Sequence, residues 1–108
     1  MTVADLARTL NLTVFHSGEL ERDITGCYCG DLLSWVMGRA QAGEVWCTIM
    51  SNQNVAAVAV LSDVACVLLT EGVLPDEDLV KKAQVQGITL LGTSLSTYRA
   101  AAALGGLL

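Results

Sequence analysis

Charged residues are scarce in this 108-residue sequence, and basic residues are the scarcest of them. Asp, Glu, Lys and Arg together make up 16% of the chain, against about 25% in an ordinary globular domain. The chain has six Lys and Arg against eleven Asp and Glu, and Lys81-Lys82 is its only basic pair. No basic stripe is available to neutralise phosphates, so we expect no nucleic-acid partner.

Long apolar runs are also missing, although 53% of the residues are hydrophobic. The most apolar stretch, residues 55–70, is interrupted by Ser62 and Asp63 and is shorter than the roughly 20 residues of a membrane-spanning helix. The amino terminus lacks the basic start and apolar middle of a secretory signal. We therefore expect a soluble, cytoplasmic protein with no membrane partner, built as a single domain over residues 1–108.

The sequence carries few groups for catalysis. It contains neither the G-x-x-x-x-G-K-[ST] loop nor the G-x-G-x-x-G fingerprint of nucleotide-binding enzymes. Its one histidine, His16, falls at the end of a predicted strand, where we expect a structural role. We therefore predict no catalytic residues and no enzymatic activity.

The four cysteines do not form a disulfide framework, because all of them lie in apolar segments. Cys27-Tyr28-Cys29 is the only spacing typical of a metal site. On a strand both thiols would face the same side, with Cys47 or Cys66 as further candidate ligands from neighbouring strands. Because a second C-x-C pair is missing, we expect buried, reduced thiols, with no bound metal and no cofactor.

Short apolar runs alternate with helical patterns in the second half of the chain, which is typical of a parallel α/β sheet. Continuous apolar runs indicate strands that are buried on both faces. The predicted strands cover residues 44–50, 65–70 and 88–92. The predicted helices cover residues 54–61, residues 76–86 with a stop at Gly87, and a last segment that Ser94 or Ser96 begins.

The first half of the chain is less regular. A helix is predicted over residues 2–10, and strands over 12–16 and 24–28. The loop between these strands is too short for a parallel crossover, so one strand should run antiparallel or at an edge. A further helix over residues 31–40 is expected to bury Leu32, Leu33, Val36, Met37 and Ala40. The predicted fold is α/β, with three α/β/α layers around a mostly parallel sheet of about five strands.

Polar residues follow three of the predicted strands, directly where each strand ends. In an open parallel sheet, ligands bind outside the carboxyl ends of the strands, near the free N–H groups of helix N-termini. Helix capping is the competing explanation for the same residues. The candidate ligand-binding residues are Asn52, Gln53, Asn54, Thr70, Glu71, Gly72, Thr93, Ser94, Ser96 and Thr97.

The apolar composition predicts a homodimer, because so small a domain has more apolar surface than one core covers. The residues expected at the interface are those that the sheet core does not need. They are Trp35, Val73, Leu74, Leu104, Leu107 and Leu108.

The chain resembles the DRTGG domain family, and its short stand-alone members related to the N-terminal domain of HPr kinase/phosphorylase in particular. The resemblance rests on GCYCGDLLSWVMGRAQAGEVWCTI, NQNVAAVAVLSD and VLLTEGVLPDEDLVKKAQVQGITLLGTSLSTYRAAAAL, in that order. The literal Asp-Arg-Thr-Gly-Gly string is missing: Asn52-Gln53-Asn54 stands at the helix start, and Glu71 stands within the Thr-Gly-Gly match.

The resemblance implies a three-layer fold like that of MurF and the HPr kinase N-terminal domain, dimerisation, and a regulatory role beside phosphotransfer, phosphotransacetylase or pyrophosphatase modules. The predicted function is a non-enzymatic regulatory or ligand-sensing domain, binding a small nucleotide or phosphorylated ligand, as a homodimer or with a partner protein. Two alternatives stay open: a small enzyme on a phosphorylated substrate, and a thiol or metal redox module that uses Cys27 and Cys29.

Overall fold

The computed structural model describes residues 1–108 and contains five strands and five helices. The strands are β1 (Thr13–His16), β2 (Gly26–Cys29), β3 (Glu44–Thr48), β4 (Cys66–Leu69) and β5 (Leu90–Gly92). The helices are α1 (Val3–Thr9), α2 (Leu33–Arg39), α3 (Asn54–Ser62), α4 (Glu77–Gln86) and α5 (Thr97–Leu107). One sheet contains all the strands in the order β1-β5-β4-β3-β2. No helix is long and apolar enough to cross a membrane.

The central strands bury side chains on both faces of the sheet, which explains their continuous apolar sequences. Trp46 and Val67 belong to a core cluster that includes residues of α2, α3 and α4. Their chain neighbours Cys47 and Leu68 point the other way, into a cluster with residues of α1 and α5. The result is the predicted three-layer α/β/α arrangement.

The first half of the chain supplies both edges of the sheet. β1 pairs with β5 in antiparallel orientation, whereas β2 pairs with β3 in parallel orientation. The remaining pairs, β3 with β4 and β4 with β5, are parallel. The prediction that one of the two early strands runs antiparallel or at an edge is therefore confirmed. β1 and β2 lie at opposite edges, so the loop between them never has to make a crossover between neighbouring strands.

Several predicted helix ends are confirmed by their hydrogen bonds. The Ser96 hydroxyl accepts the Arg99 N–H at 3.2 Å and begins α5. Gly87 ends α4 in the left-handed conformation, with φ of 72°, where a residue with a side chain would be strained. Local sequence therefore specifies these two helix ends, whereas α2 begins at Leu33 and not at the expected Asp31.

Two predictions about helix faces are wrong. Leu32 and Met37 are exposed, because α2 covers the core with a narrow stripe in which Val36 is fully buried between Leu33 and Ala40. Leu104, expected at an interface, has no exposed surface at all. α5 continues to Leu107, which places Leu104 one turn after Ala100 on the face that packs against the sheet.

Candidate functional site

The loops that follow β4 and β5 meet at the carboxyl edge of the sheet and are tied together by hydrogen bonds. The Glu71 N–H donates to the Leu95 carbonyl at 2.8 Å, and the Gly72 N–H donates to the Thr93 carbonyl at 2.9 Å. Glu71 and Gly72 both have positive φ, 61° and 72°. This left-handed turn brings the two loops into contact, and Gly72 adopts it without strain.

Glu71 is held at the N-terminus of α5. Its Oε2 accepts the Thr97 N–H at 2.9 Å, which satisfies a free helix donor and places a negative charge at the positive end of the helix dipole. The Thr70 and Thr97 hydroxyls are hydrogen-bonded to each other at 2.7 Å. Four of the candidate ligand-binding residues, including Ser96, therefore already serve the start of α5.

A cavity of about 190 Å³ opens beside these loops, at the edge of the sheet that β1 forms. We call it the β1-edge cavity. It combines hydroxyl groups with apolar and aromatic surface, and Leu74 at its rim is 72% exposed. Its lining is Thr13, Phe15, Gly72, Val73, Leu74, Gly92, Thr93 and Ser94.

The candidate residues after β3 lie elsewhere. Gln53 and Asn54 line a groove of about 330 Å³ between α3 and α4, together with Lys82 and Gln86. We call it the α3–α4 groove. Asn52 holds the start of α3, because its Oδ1 accepts the Asn54 N–H at 2.9 Å. The structure thus divides the ten candidate residues between the start of α5, the β1-edge cavity, the α3–α4 groove and, for Asn52, the start of α3.

Some residues of this edge carried no signal in the sequence. Phe15 lines the β1-edge cavity because β1 pairs with β5, and strand order cannot be read from local pattern. Asp31 follows β2, and its Oδ1 accepts the Thr48 hydroxyl at 2.8 Å and the Ile49 N–H at 3.0 Å. This carboxylate ties the end of β2 to the end of β3.

Three thiols meet along the outer strand β2, on the side of the sheet opposite to β1, where β2 pairs with β3. The Sγ atoms of Cys27, Cys29 and Cys47 all lie within 4.8 Å of one another. The neighbouring Cys47 thiol, and then Cys27, lower the pKa of Cys29 to about 6, against the effects of burial and of the Asp31 charge. The hydrogen bond with Cys27, the neighbouring Cys29 thiol and burial all raise the pKa of Cys47. The arrangement keeps a reactive thiolate on an exposed side chain.

The remaining titratable candidates are structural. Burial raises the pKa of Cys66 to about 12, so this thiol stays protonated and inert. The His16 Nδ1 lies 2.8 Å from the Ile88 carbonyl oxygen, consistent with the structural role expected for it. His16 pairs with Leu90, the first residue of β5, and so lies away from the carboxyl edge.

The fold is similar to that of a solved regulatory protein. The match is to the CBS and DRTGG domains of the regulatory region of Clostridium perfringens pyrophosphatase, complexed with the activator diadenosine tetraphosphate. The TM-score is 0.76 at 15% sequence identity. The match covers 95% of this chain and 45% of the other, so this chain spans less than half of that protein's length. No curated protein matches the sequence.

The family model of the DRTGG domain matches residues 5–107, which is nearly the whole chain. The match includes all five strands, helices α2 to α5, and α1 except for its first residues. Together with the mostly parallel five-stranded sheet between two helical layers, this places the protein in the DRTGG domain family.

Proposed function

We propose that this protein is a non-enzymatic regulatory domain that binds a small nucleotide or phosphorylated ligand at the carboxyl edge of its sheet. The observation that carries the proposal is the β1-edge cavity. It lies where two parallel strands, β4 and β5, deliver loops that include Gly72, Thr93 and Ser94. A crevice outside the carboxyl ends of parallel strands is the usual ligand position in such sheets.

The lining of the β1-edge cavity suits a planar base with polar edges. Phe15 and Leu74 offer aromatic and apolar surface, while the Thr93 and Ser94 hydroxyls offer hydrogen bonds. The cavity contains no charged side chain, so phosphates would extend beyond it towards solvent. Adenine nucleotides are the first ligand class to test, because the structurally similar regulatory region was solved with a diadenosine activator.

The proposal of a regulatory role without catalysis rests on how the carboxylates are used. Catalysis needs an acid or base poised in the crevice. Glu71 accepts a helix N–H instead, and Asp31 accepts two hydrogen bonds that join strand ends.

The four free cysteines suit the reducing cytoplasm, which is the compartment we propose.

Dimerisation is part of the proposal, with the outer face of α2 as the contact. Trp35 is 53% exposed there, and Leu32, one turn earlier, is 57% exposed. The Arg39 guanidinium stacks 3.8 Å above the Trp35 ring, and Trp and Arg are both enriched in protein interfaces. The other interface candidates lie elsewhere: Val73 and Leu74 are in the loop after β4, and Leu107 and Leu108 are at the end of α5.

Light scattering at micromolar concentration tests the dimer. Trp35→Glu should convert a dimeric mass to a monomeric one, because it replaces the exposed aromatic surface with a charged group that is costly to bury at an interface. Val85→Glu is the matched control, since Val85 is 80% exposed on α4 and its replacement should leave the mass unchanged. A monomeric mass for the unaltered protein would refute the dimer.

Ligand binding is tested by thermal stabilisation with adenine nucleotides, uridine nucleotides and acyl phosphates, followed by calorimetric titration. A ligand at 100 times its dissociation constant adds about 2.7 kcal/mol to the stability of the folded state. Ser94→Ala should weaken binding by about 1 kcal/mol through one lost hydrogen bond. Gln86→Ala, in the α3–α4 groove, is the control and should bind normally. The opposite ranking of these two variants would move the site to that groove.

A further inference from the structure

The β2 edge of the sheet holds a cluster of side chains that the proposed ligand site does not use. Its members are the thiols of Cys27, Cys29 and Cys47. The Sγ of Cys27 lies 3.9 Å from that of Cys29 and 3.7 Å from that of Cys47. We call these three residues the thiol cluster.

Two of the sulfur separations, Cys27 to Cys29 and Cys27 to Cys47, match those around a tetrahedral zinc ion, and the third pair lies within 4.8 Å. With Zn–S bonds of about 2.3 Å, tetrahedral geometry places neighbouring sulfurs about 3.8 Å apart. A disulfide needs its two sulfurs about 2.0 Å apart. The thiols are therefore already spaced to share an ion, and would have to move closer to bond to one another.

Strand pairing fixes this spacing. The parallel register places Cys29 opposite Cys47, and Cys27 lies two residues before Cys29 on the same face of β2. Cys47 is fully buried, Cys27 is half-buried and Cys29 is exposed. The backbone thus holds Cys27 and Cys47 within the fold, and the exposed Cys29 gives an ion access from solvent.

We propose that Cys27, Cys29 and Cys47 form a three-thiolate site for a thiophilic d¹⁰ cation, zinc, whose fourth position is open to water or to an added ligand. Soft sulfur ligands select such an ion over magnesium or calcium. All three sulfurs bind as thiolates, so loading releases to solvent the protons of those thiols that are still protonated. The sequence alone predicted no metal because it shows a single C-x-C pair; the third ligand comes from β3 through the register of the sheet.

The fourth cysteine provides an internal control. Cys66 is buried on the same face of the sheet as Cys47, in the same core cluster, but its thiol is not a member of the thiol cluster. Cys66 is on β4, where it pairs with Val45 of β3, and so lies one strand further from the β2 edge than Cys47 does. If removal of any cysteine weakened zinc binding by perturbing the fold, Cys66→Ala would show the same loss. If the loss comes from removal of a zinc ligand, Cys66→Ala should bind zinc normally.

Zinc titration of the full chain under reducing conditions, with a chromophoric chelator as competitor, tests the proposal. We expect one zinc per chain in the unaltered protein and in Cys66→Ala. Cys29→Ser removes an exposed ligand without disturbing the core and should weaken zinc binding at least about tenfold. Cobalt in place of zinc should give the absorption of a tetrahedral thiolate complex, which Cys29→Ser should abolish.

Cys27→Ser and Cys47→Ser complete the set, with far-ultraviolet circular dichroism to check their folding. A misfolded Cys47→Ser leaves the decision to Cys29→Ser and Cys27→Ser. No zinc bound by the unaltered protein, equal zinc affinity in Cys29→Ser, or loss of zinc in Cys66→Ala would each overturn the proposal.

Discussion

The two edges of the sheet carry the two candidate sites, and they are built in different ways. At the β1 edge, backbone and hydroxyl groups bond to one another, and the β1-edge cavity takes its shape from a left-handed turn and from the close approach of two strands. At the β2 edge, three side chains converge with only weak thiol contacts. The first site therefore depends on the backbone, and the second on three sulfur atoms.

This difference has a consequence for substitutions. A change at the β1 edge should alter stability and binding together, because the same hydrogen bonds serve both. A change at the exposed part of the β2 edge should alter thiol reactivity and zinc binding with little effect on folding. Substitutions at the two edges should therefore differ in their effect on the free energy of unfolding.

The largest effect is expected for Gly92→Val. A Cβ at Gly92 would collide with the Phe15 ring, so the substitution should push β1 away from β5 and disrupt the β1-edge cavity. Overpacking of this kind costs about 1 to 3 kcal/mol, which urea denaturation would measure. Ligand binding should be lost as well.

Gly105→Ala is the matched control for Gly92→Val. Gly105 lies in α5 with nothing within 4 Å of its added Cβ. This variant should be more stable by about 0.5 kcal/mol, because alanine is the better helix former. If Gly92→Val were as stable as the unaltered protein, the cavity would not depend on the contact between these two strands.

A smaller loss is expected for Glu71→Ala. The substitution removes the acceptor for the Thr97 N–H at the start of α5, and loss of a helix cap costs about 1 kcal/mol. Glu71→Gln keeps an accepting oxygen and should retain most of that stability. Equal unfolding free energies for Glu71→Ala and the unaltered protein would show that the contact contributes nothing, and that Glu71 is available for a ligand.

The β2 edge should respond to pH through reactivity. The pKa of Cys29 is lowered to about 6, so in the folded, metal-free protein its thiolate is present above that pH. The stability that this thiolate contributes is complete above the unfolded pKa of about 8.5 and is lost as the pH falls through 6. Alkylation by iodoacetamide should therefore be fast at pH 7 and fall with a midpoint near pH 6.

Cys29→Ser should lose this fast alkylation, and Cys66→Ala should keep it. A midpoint near the value for an ordinary exposed cysteine, about 8.5, would mean that the neighbouring thiols do not stabilise the Cys29 thiolate.

The fold was predictable wherever local pattern decides the structure. The three strands of the second half, the helices between them and the stop at Gly87 follow from apolar runs and capping residues. The position of β1 beside β5 could not be predicted, because it depends on contacts far apart in sequence. Leu104 was misplaced for a different reason. Gly105 and Gly106 are poor helix formers, yet the helix continues through both of them.

The candidate sites were predictable only in part. Polar residues after the strands predicted a site at the carboxyl edge of the sheet, but the division between the β1-edge cavity and the α3–α4 groove depends on which helices lie on which face. The spacing of Cys27 and Cys29 indicated a shared face, and Cys47 was one of two candidate neighbours. The strand order, which places β3 and not β4 beside β2, and the register between β2 and β3 distinguish Cys47 from Cys66.

Ligand binding at the β1 edge is the central claim, and amide chemical-shift mapping tests it most directly in a chain of this size. The ¹⁵N-labelled protein would be titrated with ATP, UTP and acetyl phosphate in turn. We predict that at least one of them produces saturable shifts at Gly72, Thr93 and Ser94, with Gln53 and Gln86 unmoved. No saturable shift with any of the three, or shifts confined to the α3–α4 groove, would contradict the account.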